Sequence, residues 1–151
     1  VAVHHGSRAS CGAELVGFLG QRGESSWSAR RATLRPAGGY GNDTGFRLTA
    51  ADQLTYNRMI ADIAHERGLS VGLKNDLPQI PELLDDFDFA VNEECAQYDE
   101  CALLTPFIEA GKAVFHVEYA VPTRRFCAES RRLKPSSMQK RLELGVWREP
   151  C

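Results

Sequence analysis

Three short stretches of the 151-residue chain gather side chains able to do acid–base or hydroxyl-binding chemistry. They are Lys74-Asn75-Asp76, Asn92-Glu93-Glu94, and Glu118-Tyr119 with His116 two residues earlier. Carboxyl groups protonate a glycosidic oxygen or attack the sugar carbon, while Asn, Lys and Tyr hydrogen-bond sugar hydroxyls. If each stretch ends a parallel strand of an α/β fold, all three converge on the ligand-facing side. The competing explanation is plain: polar residues end most strands because loops begin there.

The elements that must position these residues can be read from residue 39 onward. Gly41-Asn42-Asp43-Thr44-Gly45 is turn chemistry. Thr49 with Asp52 three residues later signals a capping box, opening a helix over roughly 50–67. Tyr56, Met59, Ile60 and Ile63 fall at helical spacing and predict its buried stripe, and Gly68 stops it. Leu69 to Lys74 reads as a strand, Leu77 to Asp86 as a proline-started helix, and Phe87 to Asn92 as a second strand. A helix from about Glu100 to Ala110 ends at Gly111, and Ala113 to Tyr119 is a third strand. Arg124 to Lys134 reads as a solvated basic run, and Ser136 to Leu144 as a further strand or short helix. Helix–glycine–strand alternation with short connections argues for parallel strands and right-handed crossovers.

Composition bounds the partners. Lys and Arg total 18 against 20 Asp and Glu, so no basic footprint for nucleic acid is present. No apolar run reaches the ~20 residues of a membrane helix, and no signal peptide is visible at Val1. The average hides a break, however. Residues 1–38 hold six Ala, six Gly, five Arg and five Ser, with no Lys, Asp, Asn, Ile, Met or Tyr, and carry a net charge of +3. The other 113 residues carry −5. Two readings stay open for the first stretch: a flexible extension, or GC-rich DNA translated out of frame or through an intron.

Several residues invite blander readings. His4-His5 fits no zinc signature, His65 reads as a solvated helix residue, and His116 as a packed strand residue. No phosphate loop, GxSxG elbow or CxxC occurs, so neither a metal nor a cofactor is expected. Cys95 and Cys101 can bridge the loop between them, which leaves Cys127 and Cys151 as a second possible pair and Cys11 unpaired. Bridges suit a secreted chain and free thiols a cytosolic one.

Certain segments carry a resemblance. Gly39-Tyr40-Gly41-Asn42-Asp43-Thr44-Gly45-Phe46, Gly68 to Asp76, Asp86 to Glu93, Ala113 to Tyr119 and Trp147-Arg148-Glu149-Pro150-Cys151 resemble glycoside hydrolase family 114. That family holds secreted (β/α)8-barrel enzymes, the endo-α-1,4-polygalactosaminidases. The resemblance implies that residues 39–151 are strands 5 to 8 of a TIM barrel, preceded by an unrelated-looking stretch over 1–38. It implies an incomplete barrel whose open sheet edges could self-associate, a galactosamine-containing polysaccharide as partner, and an extracellular location.

The resemblance also assigns roles. Glu93 inherits the general acid/base position, and Tyr40, Asp43, Lys74, Asn75, Asn92, Glu118 and Tyr119 are expected to bind substrate. The opposing aspartate should end strand 4, at about Thr33-Leu34-Arg35-Pro36, but Arg35 stands where it is expected and Asp43 is the nearest acid. Glycosidases need two carboxyl groups across the bond. A lone Glu93 therefore predicts a crippled enzyme, a non-hydrolytic amino-sugar binder, or a fragment without function.

Overall fold

The protein is described here by a computed structural model covering residues 31–34, 40, 45 and 47–151. The sequence expectations for most of residues 1–38, and for Asp43 and Cys11, fall outside that range. The chain divides into two compact units, one ending at Asp88 and the other running from Phe89 to Cys151.

In the first unit, strand β1 (Arg31–Leu34) and strand β2 (Ser70–Lys74) pair in parallel, with Arg31 opposite Ser70 and Leu34 opposite Leu73. Strand β1 falls within the compositionally distinct stretch 1–38. Parallel partners require a crossover, and helix α1 (Ala50–His65) lies between them in sequence. It begins where the sequence predicts. The Thr49 hydroxyl accepts from the Asp52 amide, and the Asp52 carboxylate accepts from the Thr49 amide at 2.8 Å. The Thr49 hydroxyl also donates to the Asp52 carboxylate at 2.7 Å, and this bond first, then the one from the Thr49 amide, holds the Asp52 carboxyl below its ordinary value. Gly68 turns the chain out at φ +64°, a left-handed conformation that suits glycine.

The buried stripe of α1 differs from the expected one. Asn57, Ala61 and Ala64 are buried, whereas Met59 and Ile63 are 49% and 36% exposed, and Tyr56 and Ile60 are intermediate. A helix packed closely on a parallel strand favours small side chains at the contact, so the alanines take the inner line and the larger residues its flanks. Pattern reading ranks by apolarity and passes over them.

A 3-10 turn (Leu77–Gln79) leads into the short helix α2 (Ile80–Leu83), with Pro78 and Pro81 in the opening positions of each. Asp88 closes the unit like a strand partner. Its amide donates to the Val71 carbonyl at 2.9 Å, and its carboxylate accepts from the Val71 amide at 2.7 Å and meets His65 Nε2 at 3.1 Å.

In the second unit, β3 (Phe89–Glu93), β4 (Ala113–Glu118) and β5 (Ser136–Gln139) are parallel, and β6 (Glu149–Pro150) joins β5 antiparallel. The C-terminal segment thus resolves as a strand rather than a helix. A 3-10 turn (Cys101–Leu104) and α3 (Thr105–Glu109) connect β3 to β4, and α4 (Thr123–Leu133) connects β4 to β5. The sequence reading gave no helix at α4, because four arginines outweigh its apolar residues. The arginines are exposed as expected, while Phe126, Cys127 and Ser130 form the buried line. Disulfides Cys95–Cys101 and Cys127–Cys151 both form. Among the described residues no helix is long and apolar enough to cross a membrane.

The Cys127–Cys151 bridge ties a two-residue terminal strand to α4. A loop with a sequence separation of 24 is worth about 3 kcal/mol in the chain-entropy account. Replacing both cysteines by serine should lower the unfolding free energy in urea by about that amount. An unchanged denaturation midpoint would show that β6 holds without it.

Candidate active site

The second unit builds its polar cluster from two adjacent strands locked in register, with Asn92 opposite His116 and Glu93 opposite Val117. Side chains alternate between the two faces of a strand. On one face Phe89 and Phe115 meet edge to face at 5.9 Å, and further along Glu93 and Tyr119 meet. On the other, toward α4, His116 packs edge-on against Phe126 at 5.5 Å, and Asn92 and Glu118 share its side.

Three hydrogen bonds tie the segment after β3 to the end of β4. The Tyr119 hydroxyl donates to Glu93 Oε1 at 2.7 Å, the Glu94 amide to the Val117 carbonyl at 2.9 Å, and the Ala96 amide to Glu118 Oε1 at 2.7 Å. Between these ties Glu94 adopts φ +67°, a left-handed conformation that a non-glycine residue holds only under support from its surroundings. Asn92 Oδ1 accepts from the Cys95 amide at 3.2 Å, and the Cys95–Cys101 bridge closes the loop behind it. Glu93 itself is half-buried.

This geometry sorts the residues expected to bind sugar. Glu93 and Tyr119 come together on one face. Asn92 and Glu118 do not join them: both are buried on the α4 side, with Glu118 fully enclosed. Each accepts a hydrogen bond from the loop after β3, Asn92 from the Cys95 amide and Glu118 from the Ala96 amide. The sorting follows strand parity, which separates neighbouring residues such as 92 and 93 however close they stand in sequence.

In the first unit, β2 ends in Lys74, which is buried, followed by Asn75 and Asp76 at φ 56° and 53°. Two successive left-handed residues without glycine suit Asn and Asp, the types that tolerate this region best. Asp76 is anchored by Asn57 Nδ2 at 2.9 Å, whose own amide oxygen accepts from Gln53 Nε2 at 2.9 Å. Burial raises the Asp76 carboxyl above its ordinary value, against the lowering effect of the Asn57 bond, and Glu82 adds to the rise. Tyr40 is half-buried, and Asp43 lies outside the described residues.

A cleft of about 490 Å³ opens beside the Ala96 turn, lined by Gln97, Asp99, Pro122, Arg125, Phe126 and Glu129 among others. None of the residues expected to bind sugar lines it. The donor atoms of Cys95, Cys101 and His116 lie within 4.8 Å of one another, the one such group among the described residues. The two sulfurs are bonded to each other, so they offer no thiolate to a metal. Ser130 and Ser137, which complete the buried cluster behind His116, were missed from sequence, where isolated serines carry no signal.

Residues 37–151 match glycoside-hydrolase family GH114, and the chain belongs to that family. Its fold is the α/β architecture of a TIM-barrel enzyme with parallel strands. It is similar to the crystal structure of Aspergillus fumigatus Ega3 in complex with galactosamine, at 35% identity and a TM-score of 0.68. The match covers 76% of this chain and 51% of that one, so the chain spans about half the length of Ega3. No curated protein matches the chain.

The raised Asp76 carboxyl gives a signed prediction. The folded chain keeps this proton at pH values where the unfolded chain has lost it. Stability is therefore lost as pH rises from the ordinary carboxylate value through the raised one. Asp76→Asn keeps an acceptor for Asn57 and suits the left-handed backbone, so it should be more stable than wild type at neutral pH and equal to it in acid. Urea unfolding of both chains across that range decides the matter; parallel curves would refute it.

Proposed function

We propose that this chain carries the acid-bearing part of a glycoside hydrolase acting on α-1,4-linked galactosamine polymers, with Glu93 as general acid/base. The carrying observation is the half-buried Glu93 at the end of β3, its carboxylate fixed by the Tyr119 hydroxyl at 2.7 Å. A carboxyl group held at a defined angle can deliver a proton to a leaving oxygen and take one back from water. Membership of GH114 and the likeness to a galactosamine complex support the substrate class. So does charge: residues 39–151 carry −5, and galactosamine units lacking acetyl groups are cationic. Binding should weaken as salt rises.

The second carboxyl group is the difficulty. Arg35, where an aspartate is expected, directly follows β1 in the chain. If its guanidinium nears Glu93, it favours the ionised form of the acid, the wrong direction for proton donation. Hydrolysis by this chain is accordingly proposed to be weak. The same substitution favours a second reading, in which the chain binds amino-sugar polymer without cleaving it. Two disulfides support an oxidising, extracellular setting. Self-association through open strand edges is not favoured at β6, where Pro150 lacks a donor.

The test uses purified chain and partially deacetylated galactosaminan, with release of reducing ends as readout. Slow release is expected, falling at least ~100-fold in Glu93→Gln as the acid is removed. Arg35→Asp should raise the rate. Polymer pull-down without release in any version supports the binder, and release indifferent to Glu93→Gln removes Glu93 from the chemistry.

A further inference from the structure

Behind the Glu93 face lies a buried chain of polar groups that the proposed chemistry does not use. Ser130 Oγ on α4 donates to Ser137 Oγ on β5 at 2.6 Å. Ser137 Oγ meets His116 Nδ1 at 2.9 Å, and His116 Nε2 meets Glu118 Oε1 at 2.8 Å. The same Oε1 accepts from the Ala96 amide at 2.7 Å. His116 and Glu118 are 1% and 0% exposed, and both serines are buried.

The bond lengths favour one direction along this chain. Ser130 has one hydroxyl hydrogen, and the Ser137 oxygen at 2.6 Å is a far better acceptor than the Pro135 carbonyl at 3.4 Å. The Ser137 hydrogen then goes to His116 Nδ1. The ring hydrogen on Nε2 then donates to Glu118 Oε1. The opposite tautomer would set Nε2 lone pair against carboxylate lone pair and strand the Ser137 hydrogen. Every donor thus points toward Glu118 Oε1. The other oxygen, Oε2, is buried and has no hydrogen-bond partner among the described residues. An enclosed carboxylate with one oxygen unpaired is not arranged for its own satisfaction. All its strong contacts converge on the oxygen that holds the Ala96 amide.

We propose that Glu118, aligned through His116 by Ser137 and Ser130, is the positioning residue of the Glu93 segment. It clamps the Ala96 amide and thereby maintains the left-handed Glu94 turn that sets the reach of Glu93. The role assigned to Glu93 rests on the glycosidase reading, whereas the clamp itself is measurable without activity.

The experiment follows individual amides by hydrogen exchange in the full chain. In Glu118→Ala the Ala96 amide should exchange at least ~10-fold faster, as expected for loss of a bond to a charged acceptor, while the β4–β5 ladder keeps its rates. Glu118→Gln retains a carbonyl acceptor and should move Ala96 less. Unchanged Ala96 exchange in folded Glu118→Ala overturns the proposal, as does an equal rise everywhere. Should Glu118→Ala fail to fold, the imidazole nitrogen shifts of wild type decide. A ring hydrogen on Nε2 supports the relay, and a ring protonated on Nδ1 alone overturns it. On galactosaminan, kcat should fall in Glu118→Ala with KM little changed. If no version of the chain cleaves polymer while Ala96 responds as expected, the clamp stands and the glycosidase reading falls.

Discussion

The fixed register of β3 against β4 is the constraint on which the candidate site depends. Pairing Asn92 with His116 and Glu93 with Val117 commits each neighbouring residue to an opposite face. One face receives a half-buried acid and the phenol that holds it. The other receives an amide, an imidazole and a carboxylate that never meet solvent. A shift of one residue would exchange the two sets, exposing His116 and Glu118 and driving Glu93 against α4. The edge-to-face pair of Phe89 and Phe115 on one side, and the contact of His116 with Phe126 on the other, both resist that slip.

The two units solve a common problem in similar ways. Each must turn the chain sharply at the end of a strand without glycine, at Asn75 and Asp76 in one and at Glu94 in the other. Left-handed conformations of such residues cost about 1 kcal/mol or more each, and persist only when hydrogen bonds over-determine them. In the first unit Asn57 reaches from α1 to the Asp76 carboxylate. In the second, Glu118 reaches from β4 to the Ala96 amide. In both cases a buried side chain from a neighbouring element props the turn. Those props are polar, so their removal would leave unpaired groups in the interior rather than a void.

Much of this was legible in the sequence, and the rest was not for definable reasons. The capping box at Thr49, the stop at Gly68, the prolines opening the 77–86 segment, the three central strands and the Cys95–Cys101 bridge follow from local chemistry that acts over a few residues, whereas Cys127–Cys151 was only the pair left over. Helix α4 escaped because its apolar line is only Phe126 and Cys127 amid arginines, and its third inward residue is Ser130. The inner line of α1 escaped because alanine is chosen for closeness rather than apolarity. Of the polar strand ends, Glu93 and Tyr119 pair as a site requires, but sequence proximity alone could not tell Asn92 from Glu93. That distinction is a matter of parity and register, which appear only once a strand has a partner.

Asn92, the Cys95–Cys101 bridge, Glu118 and Tyr119, all between residues 92 and 119, support the Glu93 segment in the second unit. Arg35 belongs to a different part of the chain, following β1. Placement of the acid and provision of its counterpart are therefore separate demands on the sequence. A glycosidase needs both, because protonating the leaving oxygen lowers the barrier fully only when a second carboxylate stabilises or attacks the positive carbon left behind. A binding site needs only the first. The geometry around Glu93 is thus common to both readings.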